Sequence, residues 1–155
     1  MPSEFAITRT VEFAETDMAG LMHFSNYFRW MEACETAFYR SLGLPLIAFL
    51  PGRVAAWPRV HVSCQYRAPL RFNDAVEVKL FVARIGRRSI TYVFQFAKDS
   101  KLVARGEVTV VCAASDRRTR GELAARPIPP RIRARLKEAP KSAWGGSAET
   151  NRSGL

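Results

Sequence analysis

Histidine and cysteine are scarce in this chain: two and three residues respectively out of 155. So little imidazole argues against a histidine-rich metal centre. Cys34, Cys64 and Cys112 are odd in number and lack the close spacing of metal ligands. They read as reduced thiols of a cytoplasmic protein. Long apolar runs are missing too; nothing approaches the roughly 20 residues that span a bilayer, so no integral membrane association is expected. The start, Met1-Pro2-Ser3-Glu4-Phe5, lacks a basic segment followed by an apolar one, and no signal peptide is expected. Acidic residues are outnumbered, giving a net charge of +10. The imbalance is local. Before Ser115 there are 14 Lys and Arg against 10 Asp and Glu; from Ser115 onward there are 10 against 4. A basic final quarter could attract polyanions, yet it lacks the interleaved aromatics of a base-stacking platform. A solvated basic tail, with no nucleic-acid partner, is the expectation.

What the chain does contain fits one soluble domain. Hydrophobic residues make up 48% and charged residues 25%, and this length supports a real core. Phe5 to Phe13 alternates as a strand, with Arg9 interrupting its apolar face. A helix is expected over Asn26–Leu42, where Tyr27, Trp30, Met31, Cys34 and Phe38 recur at helical spacing. Ser25 is its candidate N-cap, and Gly43 and Pro45 end it. About seventeen residues give about 25 Å, enough to cross a sheet. Leu44 to Pro58 reads as a loop or short helix. Four period-two segments follow, near 60–66, 76–82, 90–96 and 102–112, joined by short connectors, and they predict an antiparallel meander with the first strand in the same sheet. A short basic helix is expected from Arg131 to Glu138. The fold class is therefore α+β, one long helix wrapped by a curved antiparallel sheet of about five strands. No internal repeat is visible. A single domain is expected over 1–140, with 141–155 a Gly/Ser-rich disordered tail.

The stretch Glu15-Thr16-Asp17-Met18-Ala19-Gly20-Leu21-Met22-His23-Phe24-Ser25-Asn26-Tyr27 carries the most chemistry. An acidic residue sits in a Gly-containing loop that runs straight into the helix. The first N–H groups of a helix have no internal partner and attract anions or polarised carbonyls. A carboxylate facing an electrophilic carbonyl, with N–H donors on the carbonyl oxygen, is the minimum equipment for acyl transfer. The competing reading of Asp17 is a turn residue accepting local N–H bonds. Glu32 and Glu35 are rival carboxylates. On a helical wheel Glu35 flanks the apolar stripe, whereas Glu32 faces solvent or a neighbouring subunit.

This stretch, together with Trp30 and Glu32 on the helix and with Tyr66-Arg67-Ala68-Pro69-Leu70-Arg71-Phe72-Asn73-Asp74 and Gly86-Arg87-Arg88-Ser89 further on, resembles hot-dog-fold acyl-CoA thioesterases. The similarity is to their hydroxybenzoyl-CoA and tol-pal-associated branch, and spans roughly Phe5 to Cys112, plus 127–136 more loosely. The resemblance implies a homodimer, often paired into a tetramer, with sheets joined edge to edge and each active site at the dimer interface. It implies that Asp17 is catalytic, as nucleophile or as general base, and that the Phe24 backbone N–H polarises the thioester carbonyl. It implies an acyl-CoA substrate, with Arg87, Arg88 and Ser89 toward its nucleotide end, and no metal or other cofactor. Many relatives carry Tyr-His where this chain has His23-Phe24, so His23 stands one place early for a catalytic role; otherwise it is a hydrogen-bonded loop residue. Arg59, beside Trp57-Pro58, is a further candidate for the substrate entrance. Two alternatives stay open: a hot-dog hydratase or dehydratase using His23 or His61, and a non-enzymatic basic binding module.

Overall fold

The computed structural model describes residues 2–46, 48–50, 53–116 and 122–145. Its centre is an antiparallel sheet of five strands: β1 (Glu4–Thr10), β4 (Arg59–Tyr66), β5 (Ala75–Ile85), β6 (Ser89–Lys98) and β7 (Lys101–Val111). Their order across the sheet is β1-β5-β6-β7-β4. One helix, α1 (Ser25–Ser41), lies across one face. Tyr27, Trp30, Met31, Cys34 and Phe38 are all buried against the sheet. Burying each large apolar side chain contributes about 2 kcal/mol, so this stripe fixes the helix to the sheet.

Only β5-β6-β7 form the expected meander. β4 does not pair with β5; it pairs with β7, and β1 takes the place beside β5. The cause is the connector 67–74, which is too long and too well anchored for a hairpin. It is tied to Val103 by the Arg67 and Ala68 N–H groups and to the Asp17 loop by a bridge between Leu21 and Arg71. It therefore carries the chain from one end of the sheet to the other, with Leu70 fully buried on the way. The hairpin between β6 and β7 turns through Asp99 and Ser100, both at positive φ, as a two-residue turn matching strand twist requires.

Other boundaries also move. β1 ends at Thr10, and Phe13–Glu15 forms a turn of 3-10 helix that exposes Phe13. Phe24, not Ser25, occupies the N-cap position of α1, with no side-chain cap. At the other end Gly43 has φ +65° and donates to the Arg40 carbonyl, the left-handed C-terminal stop for which glycine is suited. The segment expected to be a loop contains β2 (Ala48–Leu50) and β3 (Arg53–Ala56), which join β8 (Ala113–Asp116) and β9 (Leu123–Ala125) in a small second sheet. The basic helix shortens to α2 (Pro130–Arg133), because Ile132 and Leu136 bury toward the core while the backbone turns between them. The expected tail begins with an ordered turn instead, α3 (Lys141–Trp144). Trp144 donates to the Ala139 carbonyl and lies under the Arg105 guanidinium, which holds it to the domain. The remaining ten residues of that expected tail lie outside the described residues.

Candidate active site at the entrance of α1

The loop before α1 is shaped by Glu15. Its carboxylate accepts from the Trp30 indole N–H (2.7 Å) and from the Glu12 backbone N–H (2.9 Å). Its carbonyl accepts from the Asn26 side chain (2.9 Å) and the His23 N–H (2.8 Å). One residue thus ties the 3-10 turn, the loop exit and the first two turns of α1 together. A buried indole N–H must find an acceptor, so Trp30 was the sequence signal for this contact; nothing in the periodicity named Glu15 or Asn26 as the partners.

Between these anchors the chain folds back on itself. The Asp17 N–H donates to the Leu21 carbonyl (2.7 Å), and the Gly20 N–H donates to the Asp17 carbonyl (2.9 Å). Gly20 has φ +74°, where a side chain would be strained. Asp17 Oδ1 accepts from the Ala19 and Leu21 N–H groups at 2.8 and 3.1 Å. This is the turn-residue geometry, yet it engages only one carboxylate oxygen. Oδ2 has no hydrogen-bond partner among the described residues.

Asp17 also lines a cleft of about 360 Å³ together with Leu21, Phe24, Tyr27, Tyr66 and Leu70. Phe24 stands at its rim. The Tyr66 hydroxyl donates to the Phe24 carbonyl (3.1 Å), and the Tyr66 ring meets Tyr27 edge-on at 4.9 Å. The Phe24 N–H has no acceptor among the described residues. Burial pushes the Tyr27 hydroxyl up to about 12; burial and the neighbouring Cys64 push Tyr66 up to about 12 as well. Both phenols stay protonated near neutral pH.

The other sequence candidates are dispersed. His23 does not line the cleft: its Nδ1 is 2.7 Å from Ser25 Oγ and accepts from the Ser25 N–H. It is a hydrogen-bonded loop residue just before the helix. Arg87, Arg88 and Ser89 sit at the β5–β6 connection, where the Arg87 and Arg88 carbonyls accept from Ile128 and Cys112. They are not part of the Asp17 cleft. His61 lies on β4, 3.9 Å from Glu107.

Arg59 is also outside that cleft. It donates to Glu35 at 2.7 Å and lies 3.6 Å from Glu32. Glu35 is only 2% exposed and is the sole buried charged residue among the described ones. Burial raises its carboxyl to about 7, against the opposing pull of Arg59 and with the help of Glu32. Nearby, the Tyr39 and Tyr92 hydroxyls meet at 2.9 Å in the core. A second cavity of about 310 Å³ is lined by Pro45, Leu46, Trp57, Cys112 and Ile132. Apart from Arg131 its lining is apolar, and it offers no carboxylate. Among the described residues no cluster of His, Cys, Asp or Glu could hold a metal ion, and no helix is long and apolar enough to cross a membrane.

Residues 11–136 match the family model described as thioesterase-like superfamily, and the chain belongs to that family. The fold is the hot-dog fold. A curated relative, the 1,4-dihydroxy-2-naphthoyl-CoA hydrolase of Synechococcus sp. (strain CC9605), is 33% identical over 122 residues, covering 74% of this chain and 80% of that protein. The crystal structure of a 1,4-dihydroxy-2-naphthoyl-CoA thioesterase from Synechocystis superposes with a TM-score of 0.74 at 23% identity, over 85% of this chain and 94% of the other. A gentisyl-coenzyme A thioesterase superposes with a TM-score of 0.68 at 27% identity, over 83% and 98% of the two chains.

Proposed function

We propose that this protein hydrolyses aroyl- or acyl-CoA thioesters: R–CO–S–CoA and water give the free acid and coenzyme A. The observation that carries this is the state of Asp17. Two backbone N–H groups hold one oxygen and leave the other unengaged at the cleft. That oxygen either attacks the thioester carbonyl, giving an anhydride that water opens, or removes a proton from an attacking water. In both cases negative charge grows on the carbonyl oxygen, and the free Phe24 N–H at the start of α1 stabilises it. The thiolate leaves and is protonated. The aromatic pair Tyr27 and Tyr66 and the names of the relatives favour an aroyl group.

In this reading the enzyme is a homodimer, because β4 ends the sheet with no further partner strand among the described residues, and dimers pair into tetramers. Arg67 on the cleft wall, and Arg87 and Arg88 on their exposed connector, meet the phosphates of coenzyme A. No metal or prosthetic group takes part. The free cysteines suit a cytoplasmic location. The test is a panel of aroyl- and acyl-CoA esters with the wild type and Asp17→Ala, following thiol release. Asp17→Ala should lose at least about 10³-fold in kcat, in the range seen when an acyl-transfer residue is removed. Equal rates for the two proteins on every ester would end this reading. Consumption of an enoyl-CoA without thiol release would point to the hydratase chemistry instead.

A further inference from the structure

The small sheet meets largely in alanines. Ala55 of β3 opposes Ala114 of β8, and Ala56 opposes Ala113; Ala114 and Ala113 in turn oppose Ala124 and Ala125 of β9. Strands ordinarily fill such positions with β-branched or aromatic side chains. Methyl groups occupy less volume, and a space is left between this sheet and α2. It is the second cavity, of about 310 Å³, bounded by Ala55, Ala56 and Trp57 from the β3 side and by Pro129 and Ile132 from the α2 side. Close-packed interiors hold few voids larger than a water molecule. An apolar cavity of about 150 Å³ takes benzene, so twice that volume has room for roughly ten to twelve carbons.

One charge faces this apolar space. Arg131 is the only charged residue that lines it; no Asp or Glu does. The neighbouring arginines are engaged: Arg133 donates to the Gly86 carbonyl and Arg135 to the Leu42 carbonyl. Arg131 has no acceptor of that kind and no acidic partner among the described residues. From Arg126 to Lys137 the chain carries four Arg and one Lys without an Asp or Glu, so the local field favours an anion. Burial pushes the Cys112 thiol up, and the cavity therefore holds no negative charge of its own. A guanidinium pairs with a carboxylate through two parallel N–H bonds.

We propose that this cavity binds an amphipathic monocarboxylate, with an apolar body of about ten carbons against Trp57 and Ile132 and its carboxylate on the Arg131 guanidinium. It is a second ligand site, sharing no lining residue with the Asp17 cleft. The proposal does not depend on the thioesterase reading.

The three tryptophans make the test local. Trp57 is a wall of the cavity. Trp30 bonds Glu15 behind the Asp17 loop, and Trp144 lies under Arg105. The full chain is labelled with fluorotryptophan, its signals are assigned with Trp57→Phe and Trp144→Phe, and decanoate is titrated by fluorine NMR. Decanoate should move the Trp57 signal saturably and leave the other two in place. Arg131 is exposed, so Arg131→Ala leaves the fold intact; it should raise the apparent Kd about tenfold or more, the loss expected for a charged hydrogen-bonding partner. Decanol, which lacks the charge, should bind about tenfold more weakly than decanoate. Arg126 does not line the cavity, and Arg126→Ala should bind like the wild type. No movement of Trp57, or a larger movement at Trp30, overturns the proposal. Equal affinity for decanoate and decanol, or for the wild type and Arg131→Ala, does the same. An equal loss in Arg126→Ala would put a general positive field in place of the contact, and displacement of decanoate by coenzyme A would make the cavity part of the substrate path; either result also overturns it.

Discussion

Replacing Glu35 by glutamine should make the protein less sensitive to rising pH. The carboxyl of Glu35 titrates near 7 in the folded chain, mainly because burial penalises its charged form, against an ordinary value of 4.5. Between those two values the folded protein keeps a proton that the unfolded chain has released. Raising the pH through this window therefore favours unfolding, and the loss is complete once the pH passes the folded value. A displacement of about 2.5 units at 1.36 kcal/mol per unit corresponds to roughly 3 kcal/mol, an upper value for a group that is 2% exposed. For a chain of this size that is about 6–12 °C in melting temperature. The amide introduced by Glu35→Gln does not titrate, yet its carbonyl oxygen could still accept from Arg59. Thermal melts of both proteins, at one protein concentration in buffers from pH 5 to 8, give the difference in melting temperature, variant minus wild type. That difference should grow with pH by several degrees. A flat difference, or one that shrinks as the pH rises, would mean that Arg59 outweighs desolvation and that the physical account of Glu35 is wrong.

Two backbone positions give further tests. Gly106 sits where the Met31 thioether crosses β7; a Cβ there would lie 2.6 Å from Met31 Sδ and closer still to its methyl. Gly106→Ala should cost about 1–3 kcal/mol by overpacking, read as a lower urea midpoint with an unchanged slope, and a midpoint equal to wild type would show that Met31 moves aside freely. Gly20→Ala meets no atom within 4 Å but must hold φ +74°, so about 1 kcal/mol of strain falls on the Asp17 loop; thiol release should slow while the melt changes little, and an unaltered rate would separate the loop's shape from catalysis.

The helix was legible because its apolar stripe has one strong period: Tyr27, Trp30, Met31, Cys34 and Phe38 all went to the core. Period-two strands were legible for the same reason. Strand order was not. The sequence of β4 looks like any half-buried strand, and only long-range ties, such as Arg67 N–H to the Val103 carbonyl, decide that it closes the sheet beside β7. Arg59 was invisible as a partner of Glu35 because a bulge, which has no period, turned it inward. The Asp17 loop was recognisable from its residue types. The convergence on Glu15 depends on contacts between residues up to fifteen apart, and a lone Glu carries no sign of it.

That convergence separates two properties of the loop. Glu15 bears the anchoring, while Met18 is fully solvent-exposed and a Cβ at Gly20 would meet no atom within 4 Å. The tip can therefore be rewritten without loosening the helix behind it. Any laboratory effort to broaden the substrates accepted has a permissive site at the side chains of positions 18 and 19, beside Asp17 yet mechanically decoupled from the rest of the domain.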